Sequence, residues 1–319
     1  MTDEFKAPSD FTQADANLRP NLEPPAMPRV KTIEFEYPQL QAIRDPGIDV
    51  LLLVATTVEL RAACSALSPI DGEALLLCFY RDDVAYYVGR LGVAFTVAVM
   101  SRMAADSAGG SLVVAKNAIA LTRPAAVIAV GIAFGANPAK QTIGDVLVAS
   151  QIINYELQRV QPGRSISRGS RPETGQLLGN LFREVTDWEF KNIEGGDCRV
   201  EFGPVLSGAK LIDDIDYKLK LLKDQKDAIG GEMEGTGVYA AVRDATVPPV
   251  SGKLSPLFVT RSPSSSCTSG ASKVFPVEVL REVQGPGCPT DGGPARVVRR
   301  CAVTGAADWS AHSLSMASC

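Results

Sequence analysis

The sequence predicts an α/β fold of three layers, a mixed and mostly parallel sheet flanked by helices. Two observations carry this. Asp49–Ala55 and Ala126–Val130 are continuous apolar runs, the pattern of strands buried on both faces. Segments with helical spacing alternate with such runs along the chain, which is the order that builds layered α/β domains.

The elements follow in order. Residues 1–46 are polar and broken by Pro8, Pro20, Pro24, Pro25, Pro28, Pro38 and Pro46, and read as a disordered leader or linker. The strand at Asp49–Ala55 leads into a helix over Val58–Leu67. Ala74–Phe79, Val84–Gly89 and Phe95–Met100 read as strands, separated by Arg81-Asp82-Asp83 and Gly92. A small-residue helix over Ser107–Leu121 ends before Arg123-Pro124. The strand Ala126–Val130 runs into a loop of small residues, Gly131–Pro138, and Gly144-Asp145 turns the chain into a strand at Val146–Ala149. Residues 158–175 read as an irregular basic loop. A helix is expected over Glu173–Thr186, a strand over Phe202–Leu206, and a helix from an Asp213 or Asp214 cap to Lys223. An apolar Ala228-Ile229 precedes Gly231-Glu232-Met233-Glu234-Gly235-Thr236-Gly237, which opens a helix ending near Asp244.

The bulk properties narrow the class. With 319 residues, 45% hydrophobic, the chain can bury a large core. A formal net charge of -4 argues against general nucleic-acid binding. No apolar run reaches membrane-spanning length, so we expect no membrane partner and a cytoplasmic location. Cys64, Cys78 and Cys198 are scattered, as reduced thiols would be. The spacing of Cys267, Cys288, Cys301, His312 and Cys319 matches no zinc pattern, and no metal or organic cofactor is expected.

Three predicted strand ends carry chemistry, and in α/β sheets ligands bind beyond such ends. Glu59 lies in the first helical turn after the first strand. The Gly131–Gly135 loop follows the middle strand. Met233-Glu234 follows a later one. A carboxylate accepts hydrogen bonds from two vicinal hydroxyls at once, a methionine offers a soft apolar surface, and glycines let backbone approach a ligand. Two carboxylates and a glycine loop on one crevice suit cleavage of a glycosidic bond, one activating water and the other orienting the sugar.

These segments resemble the nucleoside phosphorylase and nucleosidase superfamily, nearest to methylthioadenosine/S-adenosylhomocysteine nucleosidases. The matching pieces are Val54-Ala55 through Glu59-Leu60, Val130–Gly135, Gly144–Val148, Ser207-Gly208 and Glu232-Met233-Glu234, in the family's order over roughly residues 48–250. The resemblance implies a purine nucleoside or nucleotide as substrate, an adenine base as leaving group, and homo-oligomers. It implies that Glu59 activates water, that Glu234 and neighbouring Glu232 bind ribose, and that Met233 packs under the sugar. Ile132, Ala133 and Gly135 would border base and ribose, Leu211 and Ile212 would line the base pocket, and Tyr155 would border the 5′ side. The stretches Tyr155-Glu156, Gln158-Arg159-Val160 and Ser167-Arg168-Gly169 are similar to nucleosidase domains of multidomain bacterial stress and defence proteins. That implies Arg159 and Arg168 as candidates for a 5′-phosphate. Neither the first-strand loop nor Gly131–Gly135 holds an arginine-lined phosphate site, so water is the expected nucleophile rather than phosphate.

The chain departs from the family after Val247-Pro248. Where the family has a buried strand ending in Ser-Asp or Cys-Asp, the aspartate protonating the departing purine, this sequence reads Pro249-Val250-Ser251-Gly252-Lys253-Leu254-Ser255-Pro256. We expect no such strand here. The expected organisation is a phosphorylase-like domain over 47–250, incomplete at its C-terminal end, and an atypical unstructured tail over 251–319, as an out-of-frame or recombined end would give. The general acid is then missing and the activity impaired. A non-catalytic nucleoside-binding module and a phosphate-dependent phosphorylase are the alternatives.

Overall fold

The computed structural model describes residues 25–105, 109–162, 164–185, 196–212, 214–245, 255–261, 281–283 and 297–299. The elements in chain order are β1 (Val30–Thr32), α1 (Gln41–Arg44), β2 (Val50–Val54), α2 (Thr57–Ser65), β3 (Leu76–Arg81), β4 (Val84–Leu91), β5 (Ala94–Met100), α3 (Ser111–Thr122), β6 (Ala126–Ile132), β7 (Phe134–Gly135), β8 (Val146–Asn154), β9 (Gln158–Gln161), β10 (Arg164–Ser167), α4 (Gln176–Glu184), β11 (Val200–Ser207), α5 (Ile215–Asp224), β12 (Gly230–Glu232), α6 (Gly235–Asp244) and β13 (Ser255–Arg261). Among the described residues, eleven strands form one mixed sheet in the order β1-β3-β4-β5-β2-β6-β13-β8-β11-β12-β7.

The apolar runs explain the layering. Alternate residues of a strand face opposite sides. Leu51 and Leu53 of β2, Val97 and Val99 of β5, and Val127 and Ala129 of β6 pack with Val114, Ala118 and Ile119 of α3 and Val238 and Ala241 of α6. Their neighbours Val50, Leu52, Val54, Ala98 and Ile128 pack on the other face with Leu60, Ala63 and Cys64 of α2 and with Leu178 and Phe182 of α4. Both faces of the central strands are thus buried, as the unbroken hydrophobic runs require. A third cluster, Ile153, Tyr155, Leu206, Leu221 and Ala228, fills the space under α5.

Four expectations need correction. The first concerns the leader, whose residues 1–24 lie outside the described residues. From Met27 onward it belongs to the domain. β1 pairs in parallel with β3, and Leu40 and Ile43 are completely buried. Lys31 Nζ donates to Glu73 Oε2 at 3.0 Å, and Tyr37 Oη donates to Glu73 Oε1 at 2.8 Å. Second, part of the basic loop is an antiparallel hairpin, β9 with β10. Third, α3 begins at Ser111 rather than Ser107, which is outside the described residues.

The fourth correction is the largest. A strand does follow Val247-Pro248. β13 runs parallel to β6, from Ser255 beside Ala126 to Arg261 beside Ile132. It also pairs antiparallel with β8, Val259 beside Val148. The sheet is therefore continuous at the point where a gap was expected, and neither β6 nor β8 is left with a bare edge. Within the expected unstructured tail, Arg281–Val283 pairs antiparallel with Val297–Arg299.

Candidate active site

Glu59 is placed by the start of α2. Thr56 is the N-cap: its hydroxyl accepts the Glu59 N–H at 3.2 Å, while Glu59 Oε2 accepts the Thr56 N–H at 2.9 Å. This reciprocal pair is a capping box, and it satisfies donors that a helix start leaves open. The Ala55 N–H also donates to Oε2 at 2.9 Å. The second oxygen reaches across the sheet end and accepts the Ile132 N–H at 3.0 Å. Glu59 is thereby tied to the end of β6; Oε2 accepts two N–H groups and Oε1 one, so the lone pair left free is on Oε1. Burial raises its pKa, opposed by the hydrogen bonds from Ala55, Thr56 and Ile132.

Glu232 and Glu234 come from β12 and the start of α6. Glu232 is buried, and its Oε2 accepts the N–H groups of Glu234 and Gly235, each at 2.7 Å. It thus caps α6 with a carboxylate at the positive end of the helix dipole. Its Oε1 is buried without a hydrogen-bond partner. Burial raises the Glu232 pKa, against hydrogen bonds from Glu234, Ser207 and Gly235.

Glu234 Oε1 accepts the Ala104 N–H at 3.2 Å, and its carbonyl accepts the Ser111 hydroxyl at 2.9 Å. Burial above all, then the charges of Glu232 and Glu59, push the Glu234 pKa up to about 8. Three carboxyl groups so close cannot all ionise cheaply. Met233 between them is half-buried.

Glu232, Glu234, Ala55 and Gly131 line a narrow cavity of about 10 Å³, room for roughly one water. It sits at the carboxyl ends of β2 and β6, where an α/β sheet holds its ligand. A larger cavity of about 300 Å³ is lined by Gln39, Asp49, Arg90 and Phe95. It lies at the opposite ends of the strands and holds none of the motif carboxylates, so we place the site at the smaller one.

The remaining sequence candidates divide. Ala133 is buried and Gly135 half-buried, while Ile132 is exposed. The Phe134 ring lies where a side chain on Gly231 would have to go, so that glycine is required by packing. Leu211 is 74% exposed, and Ile212 packs on the third core cluster. Tyr155 is 2% exposed and belongs to that same cluster, with its hydroxyl buried and unpartnered. It is a core residue against Gly208 rather than an open wall. Arg159 and Arg168 are exposed on the β9–β10 hairpin. Among the described residues neither makes an ion pair.

Sequence reasoning missed Ala104 and Ser111. Ala104 acts through its backbone N–H and has a positive φ of 74°, which no side chain announces. Ser111 could have been found as a hydroxyl at a helix start.

The chain is a layered α/β protein with a mixed sheet of this order and carboxylates at the ends of β2 and β12. The chain belongs to the phosphorylase superfamily, whose family model matches residues 50–251. It is similar to a death domain-containing ATP nucleosidase of Amphimedon queenslandica, 30% identical over 221 residues, which cover 63% of this chain and 41% of that protein. The chain therefore spans less than half the length of that relative. Among solved structures it is similar to the S-adenosylhomocysteine nucleosidase of Streptococcus pyogenes (TM-score 0.53, 17% identity, 68% of this chain and 84% of that one). It is also similar to the Campylobacter jejuni 5′-methylthioadenosine/S-adenosyl homocysteine nucleosidase (TM-score 0.52, 19% identity, 71% and 90%). A futalosine hydrolase of Helicobacter pylori is a third (TM-score 0.51, 17% identity, 67% and 88%). At these identities the structures establish the shared fold.

Proposed function

We propose that this chain hydrolyses the N-ribosidic bond of a purine nucleoside or nucleotide with adenine as the leaving base. The observation that carries the reading is the meeting of Glu59 and Glu234 at one sheet end, each oriented by backbone N–H groups. The similarity to the Amphimedon queenslandica ATP nucleosidase and to the nucleosidase structures supports the same chemistry.

In this reading Glu59 takes a proton from water as it attacks the anomeric carbon. Its capping bonds fix its rotamer, and Ile132 N–H holds the oxygen nearest the β6 loop. Glu234 binds the ribose hydroxyls. Held at about pKa 8, it is largely a neutral carboxyl at pH 7, able both to donate to one hydroxyl and to accept from its neighbour. Met233 packs against the sugar. As β13 ends, the chain reads Ser262-Pro263-Ser264-Ser265-Ser266, with no carboxylic acid to protonate the departing base. Loss of a general acid costs about 10²–10⁴ in rate, so we expect slow turnover. That same gap favours the second reading, a nucleoside-binding module that does no chemistry.

Adenine release from adenosine and from AMP, followed by chromatography, tests the reading. Glu59→Gln should lower kcat by at least about 10² with little change in nucleoside affinity. Glu234→Gln should weaken both kcat and affinity. Wild-type protein that binds adenosine but releases no adenine would overturn the enzymatic reading in favour of the binding module.

A further inference from the structure

The proposed site leaves open whether its sugar carries a phosphate, and one side chain beside Glu234 bears on this. Arg102 lies in the segment that follows β5, two residues before Ala104, whose N–H touches the Glu234 carboxyl. Two residues of chain span at most about 7 Å, so Arg102 starts from the immediate border of the ribose-binding carboxylate. Its backbone is fixed: the Arg102 N–H donates to the Gly109 carbonyl at 2.8 Å, and it forms a bridge with Gly110. A Cβ on Gly109 would stand 3.4 Å from Arg102 Cδ and 3.5 Å from its Nε. The arginine stem is thus laid along a glycine with φ of 79°, a conformation that side chains resist.

The guanidinium is exposed, and among the described residues no carboxylate pairs with it. The first turn of α3, which the segment enters, holds no acidic residue; Asp106, between the two, lies outside the described residues. The cations near the site compare as follows. Lys210 is committed to Glu156 at 2.6 Å and Arg171 to Asp227 at 3.7 Å. Arg159 and Arg168 are exposed at the β9–β10 hairpin, and among the described residues the N–H donors to the three carboxylates come from other segments. Among the described residues, Arg102 is the cation that is both without an ion pair and linked to Glu234 through its own segment.

We propose that Arg102 recognises a phosphate carried on the ribose of the substrate, making the preferred substrate class a purine nucleotide rather than a nucleoside. This rests on the ribose-binding reading of Glu234. The planar fork of an arginine suits a phosphate, binding two oxygens at once. A phosphate at this position could also be free inorganic phosphate acting as nucleophile, and the test separates the two.

The ratio of kcat/KM for AMP over adenosine is measured for wild type, Arg102→Met, Arg102→Lys and the double variant Arg159→Ala/Arg168→Ala. Hydrogen bonds to charged groups typically bring about tenfold or more. The ratio should therefore exceed about ten in the wild type, collapse toward one in Arg102→Met, recover in part in Arg102→Lys, and persist in the double variant. Calorimetric binding of AMP and adenosine reads the same preference without turnover, so a chain that binds but does not cleave still answers the question. A ratio unchanged in Arg102→Met, or one lost instead in the hairpin variant, overturns the proposal. Adenosine cleavage that requires inorganic phosphate, and loses that requirement in Arg102→Met, also overturns it and assigns Arg102 to a phosphate nucleophile.

Discussion

Under the proposed function Glu59 is both a structural and a chemical residue, its chemical role falling to the lone pair that its three backbone hydrogen bonds leave free on Oε1. Removing the cap hydroxyl by Thr56→Ala should cost about 1 kcal/mol of stability, read as a lower urea midpoint. It should change kcat little, because the backbone N–H groups of Ala55, Thr56 and Ile132 still hold the carboxylate. Burial holds the Glu59 pKa above the ordinary glutamate range, and a base acts only when ionised. The acid limb of the kcat/KM–pH profile should therefore lie above the usual glutamate value and move in Glu59→Gln. Glu234 has a raised folded-state pKa of about 8. Its burial costs nothing below the unfolded value near 4.5, and the cost grows as pH rises toward 8. Glu234→Gln should accordingly raise Tm relative to wild type progressively between pH 5 and 8, and by nothing at pH 4. At this scale the sequence was informative for side chains and silent for backbone. Thr56-x-x-Glu59 has the spacing of the capping box that the structure shows, and Glu232-Met233-Glu234 marked the carboxylates that the structure places at the start of α6. The N–H groups of Ile132 and Ala104 reach their carboxylates from 73 and 130 residues away, and no local pattern encodes such partners.

At the scale of elements, packing decides what composition conceals. The N-terminal prolines read as a leader because proline disfavours regular structure. Pro38 instead opens a turn of 3₁₀ helix over Pro38–Leu40, where its missing N–H costs nothing. Leu40→Ala, at a fully buried site, should destabilise the domain by about 2–5 kcal/mol, measured by urea unfolding; no change would mean the segment is dispensable. β13 was hidden for the opposite reason. Its apolar core Leu257-Phe258-Val259 is only three residues long, and Pro256 argues against a central strand. Pairing on both sides supplies what the short run lacks. The approach of α3 and α6 is set by Gly237, where a Cβ would lie 2.8 Å from the Leu112 nitrogen. Gly237→Ala should cost about 1–3 kcal/mol and, by shifting Ser111 off the Glu234 carbonyl, weaken nucleoside binding as well.

Across the whole molecule, the apolar runs made the layered fold legible, while strand order came from long-range pairing. β13 joins the β2–β6 half of the sheet to the β8–β11–β12 half, and the two halves carry different parts of the site. Glu59 and the β6 loop belong to one, Glu232 and Glu234 to the other. The described strand after residue 250 thus completes the sheet, and under the proposed function slow turnover would come from chemistry rather than from an incomplete fold. Adenine release from adenosine and AMP in strictly phosphate-free buffer, repeated after phosphate is added, is the most direct measurement of the central claim. The account predicts slow release without phosphate and no stimulation by it. Release only in the presence of phosphate, or tight nucleoside binding with no release under either condition, would contradict hydrolysis by this chain.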